Sequence, residues 1–258
     1  MFLRLRQLCL LARRLEPVVD DLAAVFDVAV CHRDPAVERF GLHNALLPFG
    51  TSFVEVVAPL VEGTTAGRYL ERRGGDGGYM VILDSDDLAR WRARAAEAGV
   101  RIAASLEHGD YAGLQLHPRD TGGALLEINT TRGGADAHGP YAPAGPHWQR
   151  ALRTTRVHAI VGAALQADDP ERLARRWGDL LDRPASRADG AGEWRVALDN
   201  AVLRFVEPRG DRGEGLAAID VHVADAHAIA STAAARGCRA DAEAVEVGGV
   251  RFVLRTPG

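Results

Sequence analysis

The most unusual stretch of this sequence is Glu62 to Met80, EGTTAGRYLERRGGDGGYM. Arg68 and Arg72 are four residues apart, so a helix places both guanidinium groups on one face, with Arg73 following. Planar, permanently charged forks of this kind hold a carboxylate or phosphate bidentately, and one expectation is an anion clamp for a substrate. The plainer expectation is a solvated helix ending in a glycine hinge, because Gly74, Gly75, Gly77 and Gly78 tolerate positive φ and close backbone approach. GGDGG precedes a strand-like run instead of following one, so neither the dinucleotide nor the phosphate-loop fingerprint is present. His117, in HPRD, is an imidazole at a strand end; it is a candidate acid/base group or a structural member of the turn at Pro118.

Absences narrow the chemistry further. All 31 basic residues are arginine, so Schiff-base catalysis and a phosphate-loop lysine are excluded. Cys9, Cys31 and Cys238 are odd in number and widely spaced, which suits neither a disulfide framework nor a zinc knuckle. They fit a reducing compartment as small apolar side chains. No serine–histidine–acid order or reactive-cysteine context stands out, so covalent hydrolase chemistry is not expected. A net charge of −4 gives no electrostatic reason for nucleic acid or anionic membrane as a partner. Tyr111, Trp91, Trp148, Trp177 and Trp194 are too scattered to make a base-stacking platform. No apolar run approaches the roughly 18 residues of a membrane span. Arg13 and Arg14 stand where a signal peptide would need small residues. The expected address is cytoplasmic and the expected partner a small molecule; a homodimer is compatible with this.

Such groups must be positioned by folded elements, and 258 residues with 47% hydrophobic content are enough to bury a core in one large or two ordinary domains. Leu3 to Ala12 reads as a strand, and Pro17 falls where a first helical turn tolerates it, with Val18, Leu22, Val25 and Phe26 on one face. Leu42–Phe49 and Ser52–Ala58 read as strands joined at Gly50-Thr51 and stopped by Pro59. Tyr79–Leu83 is a strand, Asp86-Asp87 caps a helix to Ala98, and Leu114–His117 and Ala124–Ile128 are further strands. Gly133 to Pro146, GGADAHGPYAPAGP, is the least periodic stretch and reads as a linker or strap.

The second half echoes the first. VLRFVEP at Val202–Pro208 echoes FVEVVAP at Phe53–Pro59, and GLAAIDVHVAD from Gly215 echoes GYMVILDSD from Gly78. Asp168-Asp169-Pro170 opens a helix to Leu181, its acids placed for the helix dipole. The economical reading is four βαβββ-like units in two pairs: an α+β chain with helix-backed mixed sheets. Its domains would be 1–132 and 151–258, with 133–150 between them.

RQLCLLA, FVEVVAPL, GGYMVILDSDDL and HPRDTGGALLEIN, taken in that order, resemble the vicinal oxygen chelate superfamily. Its members include glyoxalase I, methylmalonyl-CoA epimerase, extradiol dioxygenases and bleomycin-binding proteins. Residues 36 to 80 are also similar to a broad glyoxalase-like group of bacterial proteins. The resemblance implies glyoxalase-like domains, each a pair of βαβββ units forming a cupped mixed sheet whose first and last strands point ligands inward. Carried over by position, the first cup offers Gln7, Glu55, either Tyr79 or Met80, and Glu127. Glyoxalase I has Gln, Glu, His and Glu in that order; the epimerase pattern has His at the first and third places.

The resemblance thus implies Gln7, Glu55 and Glu127 as metal ligands, with magnesium or manganese suited to the hard oxygen set and nickel or zinc as alternatives. It implies Glu127 or Glu55 as the group that moves a proton beside a carbonyl, with Tyr79 as a fourth group or oxyanion donor. Arg68, Arg72, His117 and Met80 are then candidate substrate contacts. The matching positions of the second half, His158, Arg204, Ala217 or Ala218 and Val253, do not make a metal site. Two functions follow: a lyase or isomerase acting by proton transfer, or a non-catalytic binder of the bleomycin-resistance type.

Overall fold

The computed structural model describes residues 1–188 and 192–256. The first half runs β1 (Leu3–Leu11), α1 (Leu15–Phe26), β2 (Leu42–Phe49), β3 (Ser52–Pro59), α2 (Thr65–Arg73), β4 (Gly77–Ser85), α3 (Leu88–Glu97), β5 (Ile102–His108), β6 (Tyr111–Leu116), α4 (Pro118–Thr121) and β7 (Leu125–Thr131). The second runs β8 (Val157–Gln166), α5 (Pro170–Leu181), β9 (Ala185–Arg187), β10 (Trp194–Ala197), β11 (Val202–Val206), β12 (Gly215–Val223), α6 (Ala226–Ala235), β13 (Ala244–Val247) and β14 (Val250–Arg255).

The strands form two mixed seven-stranded sheets, ordered β2-β3-β1-β4-β7-β6-β5 and β13-β14-β12-β8-β11-β10-β9. The run β2-β3-β1-β4-β7-β6 recurs in the second sheet as β10-β11-β8-β12-β14-β13, so the sequence echo is an echo of topology. The four modules are not equal, however. The first and the last carry three strands, and a single bridge stands where another strand would pair: His32 with Leu46, and Ala240 with Val245. Local turns explain the shortfall. Asp34 caps a 3₁₀ turn that begins at Pro35, and Asp241 accepts the backbone N–H groups of Glu243 and Ala244.

Local chemistry sets the helix ends. Asp87, Asp169 and Asp225 cap α3, α5 and α6 by accepting the N–H three residues on. Asp27 and Asp182 end α1 and α5, both in the left-handed region at φ 52°, which aspartate tolerates better than most residues. The β9–β10 hairpin was not expected from sequence, since its strands are only three and four residues long and lack an apolar run.

Contacts divide the chain into two compact units: Met1–Arg6 with Tyr79–Ala142 and Gly162–Ala217, and Gln7–Gly78 with Pro143–Val161 and Ala218–Gly258. Each unit therefore draws on both halves of the sequence. In the first, α3 packs on α5, and Trp177 meets Phe205 edge-on at 5.9 Å. In the second, α1 packs on α6, and Phe26 lies 5.2 Å from Phe49 and 4.9 Å from Phe252 between ring centroids. Phe26→Leu keeps most of the volume but loses two ring contacts, so it should cost about 1–2 kcal/mol. Urea unfolding checks this; an unchanged midpoint would contradict it.

The Gly133–Pro146 stretch is anchored chain. The carbonyls of Gly134 and Ala135 accept from the Arg4 guanidinium at 2.7 and 2.9 Å, and Tyr141 is buried. The three cysteines are free thiols; burial pushes Cys31 up to about 12. Among the described residues no helix is long and apolar enough to cross a membrane.

Candidate functional site

Within the first unit, β7 lies between β4 and β6, and ladder register decides which side chains meet. Glu127 is opposite Ile82 on one side and Gln115 on the other. Because side chains alternate along a strand, Met80 shares the face of Glu127 while Tyr79 points to the other face. The sequence alone left open which of the two shares the face of Glu127. The same rule puts Tyr111, Gly113 and Gln115 of β6 beside Glu127, Asn129 and Thr131 of β7.

Three donors converge on the Glu127 carboxylate. The Tyr111 phenol donates to Oε1, Asn129 Nδ2 donates to the same oxygen at 3.2 Å, and Gln115 Nε2 donates to Oε2 at 3.0 Å. Glu127 is 4% exposed and Asn129 is fully buried. Asn129 Nδ2 also reaches the Tyr141 hydroxyl at 3.4 Å, and the Arg6 guanidinium lies 4.8 Å from the Tyr141 ring centroid. Burial first, then the charge of Glu127, holds the Tyr111 phenol far above the usual tyrosine range. Tyr141 is raised as well, chiefly by burial. Both phenols therefore stay protonated and act as neutral groups.

Asp84, four residues after Met80, receives Arg4 at 2.5 Å and has Arg6 at 3.9 Å. Burial nevertheless pushes Asp84 up and Arg6 down, so loss of water outweighs the mutual attraction for each partner. This pair ties β1 to β4 and to Gly134 and Ala135.

Gln7 and Glu55 come together in the second unit. β1 runs parallel to β3 with Cys9 opposite Glu55, and β2 runs antiparallel with Leu46 opposite Glu55. Gln7 and Asn44, each two residues away, share that face. Gln7 Nε2 donates to Glu55 Oε2 at 2.8 Å, and Asn44 Nδ2 donates to Oε1 at 2.6 Å. Asn44 in turn accepts the Asp34 N–H at 2.8 Å, and all three side chains are buried. Of the residues expected as one ligand set, Gln7 and Glu55 belong to the second unit and Glu127 to the first.

The remaining candidates have local partners. Arg68 donates to the Gly63 carbonyl at 2.6 Å and to Thr65 Oγ1 at 2.9 Å, so its fork serves the start of its own helix. Arg72 lies 5.9 Å from the Tyr69 ring. Gly74 ends α2 at φ 72°, the role expected of a glycine C-cap. His117 caps α4, its Nδ1 accepting the Arg119 N–H at 3.3 Å. In the second half His158 is exposed on β8, and Arg204 pairs with Glu193 at 2.9 Å. Asn44, Tyr111, Gln115, Asn129 and Tyr141 were not singled out as site residues. The available signal was a polar residue inside an apolar run: Asn44 in LHNALLPF, Gln115 in LQL and Asn129 closing LLEIN.

Paired sheets built from repeated βα modules are the architecture of the vicinal oxygen chelate proteins. The glyoxalase-like domain family matches residues 8–181, and the chain belongs to that family. An ethylmalonyl-CoA/methylmalonyl-CoA epimerase of Cereibacter sphaeroides is 34% identical over 80 residues, 29% of this chain. The chain spans 59% of that relative's length. A crystal structure of a hypothetical protein from Staphylococcus aureus matches over 100% of both chains, with TM-score 0.68 and 9% identity, and shares the fold. A Streptomyces coelicolor methylmalonyl-CoA epimerase bound to 2-nitronate-propionyl-CoA is 22% identical, with TM-score 0.46, over 51% of this chain and 99% of its own.

The divalent metal implied by the family resemblance meets a poor donor set. The position sharing the face of Glu127 holds Met80, a soft thioether where a hard or borderline cation wants oxygen or imidazole. Gln7 and Asn44 turn N–H groups toward Glu55, and Tyr111, Asn129 and Gln115 turn proton donors toward Glu127. Groups presenting protons to a carboxylate solvate the anion in the way water would. Among the described residues, no group of three or more His, Cys, Asp or Glu stands close enough to hold a metal ion. These residues do not fit the family's metal.

Proposed function

We propose that this chain is a proton-transfer enzyme of the isomerase or lyase type, in which Glu127 removes or returns a proton beside the carbonyl of a small-molecule substrate. The observation that carries this reading is the buried Glu127 carboxylate, fixed by donors from its own strand and the next. A carboxylate has about four lone-pair positions. Three are taken, two on Oε1 and one on Oε2, which fixes the group and leaves the second position on Oε2 for a substrate proton. Fixing the base before substrate arrives is how an enzyme reduces the reorganisation that the transition state would otherwise require. Gln7 and Asn44 hold Glu55 in the same way, and Glu55 is the second group to test.

The Cereibacter sphaeroides relative is named for ethylmalonyl-CoA and methylmalonyl-CoA. An acyl thioester bearing a carboxylate is therefore the first substrate class to try, because the thioester carbonyl acidifies its α C–H. The test is deuterium uptake at that carbon from D₂O, followed by NMR with methylmalonyl-CoA as probe. Uptake by the wild-type protein that collapses in Glu127→Gln supports the reading; uptake equal to the uncatalysed rate overturns it. Incubation with EDTA should leave the rate unchanged. A loss restored by magnesium, manganese, nickel or zinc would return the metal to the mechanism.

A binder is the second reading, and one observation favours it. Three donors hold Glu127 as a fixed, hydrogen-bonded carboxylate, which suits the polar wall of a binding site as well as it suits a base. A binder would keep its ligand affinity in Glu127→Gln and show no exchange in either form.

A further inference from the structure

We propose that Tyr111 is a positioning residue for Glu127, and that Gly113 is present to let it reach; the inference rests on Glu127 being the proton-transfer group. Across the ladder Tyr111 is opposite Thr131, four residues along β7 from Glu127. A tyrosine standing perpendicular to the sheet at that place would not meet Glu127. Its phenol arrives by lying back along β6, over Gly113.

The lane it uses exists only because residue 113 has no side chain. A Cβ built there falls 2.8 Å from the Tyr111 hydroxyl oxygen and 3.1 Å from Cζ. Gly113 is not among the glycines with positive φ, so the backbone alone does not require glycine. Glycine inside a strand sacrifices conformational entropy and packing, and β6 carries it in its middle. The phenol's path accounts for it.

The placement has a chemical consequence. With the Tyr111 proton and Asn129 on Oε1 and Gln115 on Oε2, the carboxylate plane is fixed from both oxygens. Removing the phenol leaves Oε1 held by Asn129 alone, so the carboxylate is less firmly oriented. Other ionisable groups bear on the same region. Tyr141 approaches through Asn129, Arg6 stacks on Tyr141, and Asp84 on β4 is paired with Arg4. None of these changes in the variants below.

Two readouts test the proposal, one of which needs no turnover. In protein labelled with ¹³Cζ-tyrosine, the resonance absent from Tyr111→Phe is Tyr111. Its chemical shift reports the hydrogen bond to Glu127 and should move in Glu127→Gln and in Gly113→Ala. A Tyr111 resonance indifferent to Glu127→Gln, or unchanged by Gly113→Ala, overturns the proposal. In the exchange assay, Tyr111→Phe and Gly113→Ala should each lower kcat about 10- to 100-fold, the scale of a small misplacement of a reacting group. KM should change little. A Tyr111→Phe kcat equal to that of the wild type also overturns it. If the wild type exchanges no proton while the NMR coupling is present, the enzyme reading fails and the Tyr111–Glu127 geometry stands.

Discussion

Glu127→Gln is expected to slow proton exchange on a malonyl-type thioester by about 10²- to 10⁴-fold, the usual range for a positioned acid/base group. The substitution is unusually clean here. The new amide oxygen can accept from Tyr111 and Asn129 as Oε1 does now, and Gln115 can turn its own amide to present oxygen to the new N–H. The buried polar groups therefore stay satisfied, so the cost in stability should be small. Ligand affinity should be retained, because the loss falls on the step that moves the proton. Isothermal titration alongside the exchange rate separates the two effects. A variant that keeps full exchange would show that Glu127 is not the base, and Glu55 would be tested next.

Gly50→Ala is expected to destabilise the second unit by roughly 2–5 kcal/mol, summing the left-handed backbone term of about 1–2 kcal/mol with an overpacking term of about 1–3 kcal/mol. Gly50 turns the β2–β3 hairpin at φ +66°. A Cβ there would stand 2.2 Å from the His158 carbonyl oxygen and 3.2 Å from the Ala159 Cα. Both neighbours are backbone, so no side chain can rotate away. Gly63 supplies the control, since it has φ +74° and nothing within 4 Å of a built Cβ. Gly63→Ala should thus show the backbone term alone. Equal urea midpoints for the two variants would contradict the steric argument.

Sequence and structure agree most closely where the determining interactions are local. The Gly50-Thr51 hairpin joins the strands expected on either side of it, and Asp87 and Asp169 cap the helices expected of them. Val18, Leu22, Val25 and Phe26 are buried as their spacing predicts. What the sequence could not supply depends on register between distant strands. The face of Met80 follows from β4 lying beside β7 with Ile82 opposite Glu127, and a slip of one residue would have chosen Tyr79 instead. Tyr111 and Glu127 are sixteen residues apart and meet only because Gly113 clears the way. Asn44 finds Glu55 across a hairpin whose pairing fixes which polar residue faces it. The first and last modules are a strand short for a similarly local reason, the turns at Pro35 and Asp241.

In the proposed mechanism the Glu127 carboxylate, fixed by protein donors and without a resident metal, moves a proton beside a carbonyl. The most direct measurement is deuterium uptake by methylmalonyl-CoA in D₂O, catalysed by protein stripped with EDTA and desalted, beside Glu127→Gln treated identically. Uptake well above the uncatalysed rate is expected with the stripped wild-type protein, and a rate at least about 100-fold lower with the variant. Equal rates in the two proteins, or uptake by the wild type only after a divalent metal is returned, would contradict it.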